Sequence, residues 1–231
     1  IGYNDLYYAI EKISNGKHVK DFNISEITPI MTMGSMNNMQ HSTPIGNIEK
    51  IEGVPVYHSW ISFLMSTNTG SNNTWNLSFN YQIRDSAGTI GNKPLYVKAL
   101  SSGLSNLKSF KYNGNTYFLS LVNPNNFVTG VNTIKAYISK KSSVITTPYA
   151  LASEQFIVAI TPTMPDMGNH TSPNNEALTL NTDNTYTGKI NLTMTGVWNI
   201  HLVVKTPDGT VIAGGDNDDS GYSNLYWTVN I

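Results

Sequence analysis

Four landmarks occur in the same order in the two halves of the chain, and this repetition restricts the fold more than any other feature. The stretch GYNDLYYAI (residues 2–10) resembles GVNTIKAYI (residues 130–138). ITPIMTMGSMNNMQHSTP (27–44) is echoed by ITPTMPDMGNHTSP (160–173), and YHSWISFLM (57–65) by YTGKINLTM (186–194). Trp75-Asn76-Leu77 matches Trp198-Asn199-Ile200, and each is followed by an alternating run and a Gly-Thr turn, Gly88-Thr89 or Gly209-Thr210. A duplicated domain is the economical explanation. The expected halves are residues 1–127 and 128–231, joined at Asn123-Pro124-Asn125-Asn126.

Each half reads as β throughout. Trp75, Leu77, Phe79 and Tyr81 alternate with polar residues, as do Trp198, Ile200, Leu202 and Val204. That period of two puts one side of a strand on a core. Turn residues at Asn15-Gly16, Asn113-Gly114 and Pro207-Asp208-Gly209 separate the runs. Only two short stretches, Leu104–Phe110 and Ala150–Gln155, carry any helical signal. Several short antiparallel strands in each half must each bury one face, and two sheets packed face to face achieve this. The expectation is all-β, with two immunoglobulin-like β-sandwiches in tandem.

Charge narrows the partners. Only 13% of residues are charged and the net charge is −1, so the totals show no basic footprint for nucleic acid and no polybasic membrane face. Cysteine is absent, which removes disulfides and thiolate metal sites. No apolar run approaches the roughly 20 residues of a bilayer-spanning helix. A polarity carried by Asn, Ser, Thr, Gly and Tyr suits an exported protein, periplasmic or on the cell surface, whose export segment lies outside this sequence.

Methionine is distributed unevenly. Of the eight, Met31, Met33, Met36, Met39, Met164 and Met167 lie in the two ITP segments, while Met65 and Met194 end the two matching strands. Met65 and Met194 continue apolar faces and suit core packing. Met36, Met39 and Met167 stand among Gly, Asn, Asp and Ser, with neither helical nor strand period. A hydrophobe there covers something, docks a partner, or binds through sulfur. Thioether sulfur is a soft neutral ligand that selects Cu(I), which also accepts imidazole nitrogen. It needs no deprotonation and avoids the ready oxidation of a thiolate outside the cytoplasm. His41 and His170 close the two segments in matching settings, His-Ser-Thr-Pro and His-Thr-Ser-Pro, and are the candidate nitrogen donors. His18, His58 and His201 show no such pattern and read as ordinary surface or strand residues. A methionine-rich docking surface is the competing explanation.

Met164-x-x-Met167-Gly-x-His170-x-x-Pro173, followed by Tyr186-x-Gly188 and the strand leading to Trp198, resembles the YtkA-like/FixH-like domains. These are small exported or membrane-anchored β-sandwiches associated with copper handling. The resemblance covers about residues 130–204 and extends more loosely to the first half. It implies copper binding by Met164, Met167 and His170 with Met194 nearby, and by Met31, Met33, His41 and Met65 in the first half. There, about five extra residues between Gly34 and His41, carrying Met36 and Met39, break the spacing.

One further segment, Gly214–Asn224, concentrates Asp216, Asp218 and Asp219. Asp216-x-Asp218-x-Ser220-Gly221 follows the first half of a calcium loop, but Trp227 stands where its bidentate Glu belongs. A solvated turn is the simpler reading. No Gly-x-Ser-x-Gly elbow, His-Glu-x-x-His or phosphate loop is found. The leading expectation is therefore a non-enzymatic exported protein that binds Cu(I) through Met/His loops and passes it to a copper-accepting protein. The rival is an extracellular adhesion or recognition module of tandem immunoglobulin-like domains, stabilised by calcium at Asp216, Asp218 and Asp219.

Overall fold

A computed structural model describes residues 1–68, 70, 72–122, 127–218 and 221–231. The expected junction Asn123–Asn126 and the candidate calcium residue Asp219 lie outside the described residues. The chain is all-β, and its contacts form two compact units. The first gathers Tyr3–Ala99 with Ile1 and Ser142–Ala150; the second gathers Leu100–Lys141 and Leu151–Ile231 with Gly2.

The first unit holds β1 (Gly2–Tyr8), β2 (Asn23–Met33), β3 (Met39–His41), β4 (Glu49–Lys50), β5 (Tyr57–Phe63), β6 (Asn73–Ile83) and β7 (Ser86–Leu95). They form two sheets, β1-β5-β4 and β3-β2-β6-β7. Alternation explains the inner faces: Tyr57, Ile61 and Phe63 of β5 meet Trp75 and Leu77 of β6 in one buried cluster. In β2 the apolar spacing changes from Ile24 to Ile27, then continues through Met31 and Met33. The cause is a bulge between Ser25 and Thr28, where Glu26 takes φ 52°. An extra residue resets which face points inward. After β3, Ser42 and Tyr149 bring the chain into hydrogen-bonded register with the segment Ile145–Tyr149 (Ser42 N–H to Ile145 O, 2.8 Å; Tyr149 N–H to Thr43 O, 3.1 Å).

The second unit holds β8 (Leu107–Tyr112), β9 (Asn115–Val122), β10 (Gly130–Lys140), β11 (Ile157–Met164), β12 (His170–Thr171), β13 (Glu176–Leu180), β14 (Tyr186–Leu192), β15 (Val197–Lys205), β16 (Val211–Ala213) and β17 (Tyr226–Asn230). The strand order is β16-β15-β11-β13-β14-β10-β9-β8, with β12 beside β11 and β17 beside β15. The core gathers Leu119, Leu121, Ile134, Val158, Ile190, Trp198, Ile200, Leu202 and Trp227, all fully enclosed.

The pairings recur between the units. β1-β5-β4 corresponds to β10-β14-β13, and β3-β2-β6 to β12-β11-β15. Trp75 faces Leu95 of β7 as Trp198 faces Val229 of β17, so β7 covers the places of both β16 and β17. The second unit adds the β8–β9 hairpin, turned at Asn113-Gly114.

That hairpin, together with the grouping of Ser142–Ala150 with the first unit, makes the compact units differ from the contiguous halves at 127/128 that the repeat suggests. β9 pairs with β10 from Val122↔Lys135 to Tyr117↔Lys140, and its Tyr117, Leu119 and Leu121 are buried in the second core. Burying three such side chains contributes about 5 kcal/mol or more, at roughly 1.5–3 kcal/mol each. The expected helical signals also gave way: Leu107–Phe110 lies within β8 because Phe110 packs on Tyr117 and Phe156, and Ala150–Gln155 is irregular. A fragment spanning residues 100–231 is therefore expected to unfold cooperatively in urea, whereas residues 128–231 alone, without β8 and β9, will show a broad or absent transition. Equal cooperativity of the two fragments would contradict this assignment of β9.

Candidate metal centre

In the second unit, β11 ends at Met164 and the chain turns through a short 3-10 segment, Pro165–Met167. Proline at its first position presets the helical φ. Gly168 (φ 64°) and Asn169 (φ 60°) take the left-handed conformation that reverses the chain, and the Asn169 N–H closes the turn on the Met164 carbonyl at 3.0 Å. The result places Met164 directly opposite His170 in the β11–β12 ladder. Residues opposite one another share a face, with Cβ atoms about 5 Å apart. Met164 is buried, His170 is exposed, and Met167 stands exposed at the tip.

Met194 reaches the same end of the unit by another route. Its carbonyl accepts the indole N–H of the fully buried Trp198 at 3.0 Å. Two residues on, Gly196 takes φ 126°, and a Cβ there would sit 3.0 Å from the Met164 methyl carbon. The Met164 side chain thus lies against the turn that carries Met194. Met164 and His170 thus share a rung, Met194 precedes by two residues the glycine that Met164 packs against, and Met167 lies on the turn between β11 and β12.

The first unit repeats this arrangement with a longer hairpin. Met31 faces His41 as Met164 faces His170, and a further rung sets Met33 opposite Met39. The turn itself, from Met33 through Gly34–Met36 to Met39, has the same build as that from Met164 to His170, with Asn37 (φ 55°) and Asn38 (φ 57°) reversing the chain. The additional residues therefore do not form an insertion between Gly34 and His41. They lengthen both arms, Thr32-Met33 on one and Met39-Gln40 on the other, and a two-residue step preserves which face each side chain occupies. On the opposite face, Gln40 donates from Nε2 to Thr32 Oγ1 at 3.2 Å.

His41 is enclosed where His170 is not. Its Nδ1 lies 2.9 Å from the Ser42 carbonyl oxygen. A carbonyl only accepts, so in the neutral ring Nδ1 carries the proton and Nε2 keeps its lone pair. The ring meets Trp75 edge-on, 5.4 Å between centroids, and Met31 occupies the rung between them, fully buried. Met65 is exposed, unlike the core packing expected of it, because β5 ends at Phe63; its carbonyl accepts the Trp75 indole N–H at 2.9 Å, the same tie that Met194 makes to Trp198. Met36 and Met39 are exposed.

Among the described residues no group of three or more His, Asp or Glu side chains is placed to hold a metal ion. A metal centre here would draw on thioether and imidazole, donors that select soft ions. The acidic loop is pinned by its own backbone: the N–H of Tyr222 reaches Asp218 Oδ1 at 3.3 Å, and that of Asn224 reaches the Asp216 carbonyl at 3.1 Å.

The other histidines have occupations of their own. His18 lies 3.7 Å from Glu11, and His58 pairs with Asp5 at 2.8 Å. His201, whose position in an alternating strand gave no special signal, is buried with both nitrogens engaged. Its Nδ1 donates to the Ser223 carbonyl at 2.6 Å, its Nε2 meets Thr163 Oγ1 at 3.0 Å, and Tyr222 stacks on the ring. It anchors the end of the acidic loop and has no nitrogen left for a metal.

Residues 112–203 match the family model described as YtkA-like. The stretch runs from the end of β8 into β15, includes Met164, Met167, His170 and Met194, and covers less than half of the chain. The resemblance to that family therefore holds for the second unit. No curated protein matches the chain.

The contact between Gly196 and Met164 gives a structural test of this end. Gly196→Ala adds a Cβ at a positive φ and displaces the Met164 methyl, so the variant is expected to lose about 1–3 kcal/mol in urea unfolding. A loss below about 0.5 kcal/mol would contradict the packing of Met164 on this turn.

Proposed function

We propose that the chain is a non-enzymatic, exported copper-binding protein that carries Cu(I) on thioether and imidazole donors at the ends of its two units, and passes it to a copper-accepting protein. The observation that carries this reading is the pairing of a methionine with a histidine across each hairpin, Met164↔His170 on the rung next to the turn and Met31↔His41 two rungs from it. Met65 and Met194, whose backbone carbonyls are tied to the buried tryptophans, are the candidates for a further sulfur donor at each pair. The YtkA-like match over the second unit supports the same reading through the family's association with copper handling.

The chemistry follows from the donors. Thioethers bind soft Cu(I) in preference to harder ions, and the absence of cysteine leaves no thiol for oxidation outside the cytoplasm. The imidazole supplies a stronger donor; in His41 the Ser42 carbonyl already fixes the tautomer that leaves Nε2 available. Burial grades the two sites. Met31 and His41 are enclosed and suit retention, while Met36, Met39, Met167 and His170 face solvent and suit exchange of the ion with a partner. A periplasmic or cell-surface location accords with the composition.

Anaerobic titration of the full chain with Cu(I) against a competing chelator tests the proposal. Micromolar or tighter binding is expected, weakened at least tenfold at one site by Met164→Ala/Met167→Ala/His170→Ala and at the other by Met31→Ala/His41→Ala. Because Met31 is a core residue, Met31→Leu/His41→Gln serves as the fold-preserving partner variant. Absence of binding, or binding unchanged in all three variants, would overturn the reading.

A further inference from the structure

At the end of the first unit opposite the Met31–His41 hairpin, the net charge of the chain conceals a local excess of positive charge. Two adjoining clefts of about 440 Å³ and 310 Å³ share Asp21 and Arg84. Lys12, Lys17, Lys20 and Arg84 line the larger cleft, and Lys50 joins Arg84 in the smaller. Asp21 is the one carboxylate among the lining residues. His18 also lines the larger cleft and has Glu11 for a partner. None of Lys12, Lys17, Lys20, Lys50 and Arg84 forms a salt bridge among the described residues. Val19, Ile83 and Phe22 supply apolar walls, which concentrate the field of these cations in the groove.

Arg84 holds the central position under strain. It is the first of the two residues that turn β6 into β7 between the paired Ile83 and Ser86, and it takes φ 51°. Two-residue hairpins favour Asn or Gly there. An arginine at such a φ costs backbone energy that the hairpin itself does not require.

We propose that this groove binds a phosphate-type oxyanion, with Arg84 as the anchor shared by both clefts. The guanidinium presents parallel N–H donors to two oxygens of one phosphate group, and the lysines add charge on either side. The same chemistry is offered by a free diphosphate and by the headgroups of an anionic lipid surface. This proposal does not depend on the copper reading, since it rests on residues at the other end of the unit.

The full chain is titrated with inorganic pyrophosphate at low salt by calorimetry. In parallel it is floated with vesicles of phosphatidylglycerol and phosphatidylcholine, and with vesicles of phosphatidylcholine alone. Binding is expected in at least one anionic arm and not with phosphatidylcholine alone. It should weaken at least tenfold in Arg84→Asn/Lys17→Gln/Lys20→Gln at unchanged Tm; Asn tolerates the left-handed turn position, so the hairpin is kept. Saturable pyrophosphate binding identifies a free anion, and flotation without it identifies headgroups; either supports the groove. A control variant, Lys135→Gln/Lys189→Gln, removes the same kind of charge from the second unit and should leave binding within twofold of the parent. No binding in either anionic arm, or an equal loss in the control variant, overturns the proposal.

Discussion

The placement of the candidate pairs Met31–His41 and Met164–His170 depends on antiparallel register. In a paired ladder, residues directly opposite one another share a face, and a shift of one residue would send each methionine to the wrong side. The ladders β2–β3 and β11–β12 are therefore what sets the strand methionines Met31 and Met164 opposite His41 and His170. The turns that set this register are built from residues that accept positive φ: Asn37 and Asn38 in one hairpin, Gly168 and Asn169 in the other. The longer first hairpin obeys the same constraint, since it grows by two residues per arm and keeps its faces.

The ladders are held by the core beneath them. Trp75 and Trp198 are fully buried, and each indole N–H satisfies itself on the carbonyl of a strand-end methionine. This bond serves two ends. It removes the cost of burying a polar N–H, on the order of 1–3 kcal/mol if left unpaired, and it fixes the loop after β5 or β14 beside the hairpin. The candidate donors Met31 and Met164 are themselves core residues, so the proposed sites are extensions of the packing and not additions to its surface.

Much of the fold was legible in the sequence because its strands are half-buried and alternate. The landmarks around Trp75 and Trp198 fall on β6 and β15, and those around Tyr57 and Tyr186 on β5 and β14. The opposition of His41 to Met31 and of His170 to Met164 follows from the turns between them and was not read from the sequence. Other features depended on long-range contacts. Leu107 and Phe110 carry a spacing compatible with a helix, and only the apolar face of β9 and the edge of β10 make their segment a strand. The lengthening of the first hairpin was hidden because an insertion and two longer arms have the same length in sequence. His201 gave no signal because its partners, Thr163 and Ser223, lie far from it along the chain. The basic groove was likewise masked by totals, since its cations come from three separate segments.

Taken together, the two units present candidate soft donors on a β framework, with the methionine of each pair anchored in the core. The central claim is that sulfur and imidazole, and not carboxylate or water, hold the ion. X-ray absorption at the copper edge of the Cu(I)-loaded chain reads this directly. The account predicts sulfur scattering together with the multiple-scattering pattern of imidazole, with the imidazole contribution reduced in His41→Gln/His170→Gln. A first shell of light atoms alone, with no sulfur contribution, would contradict it.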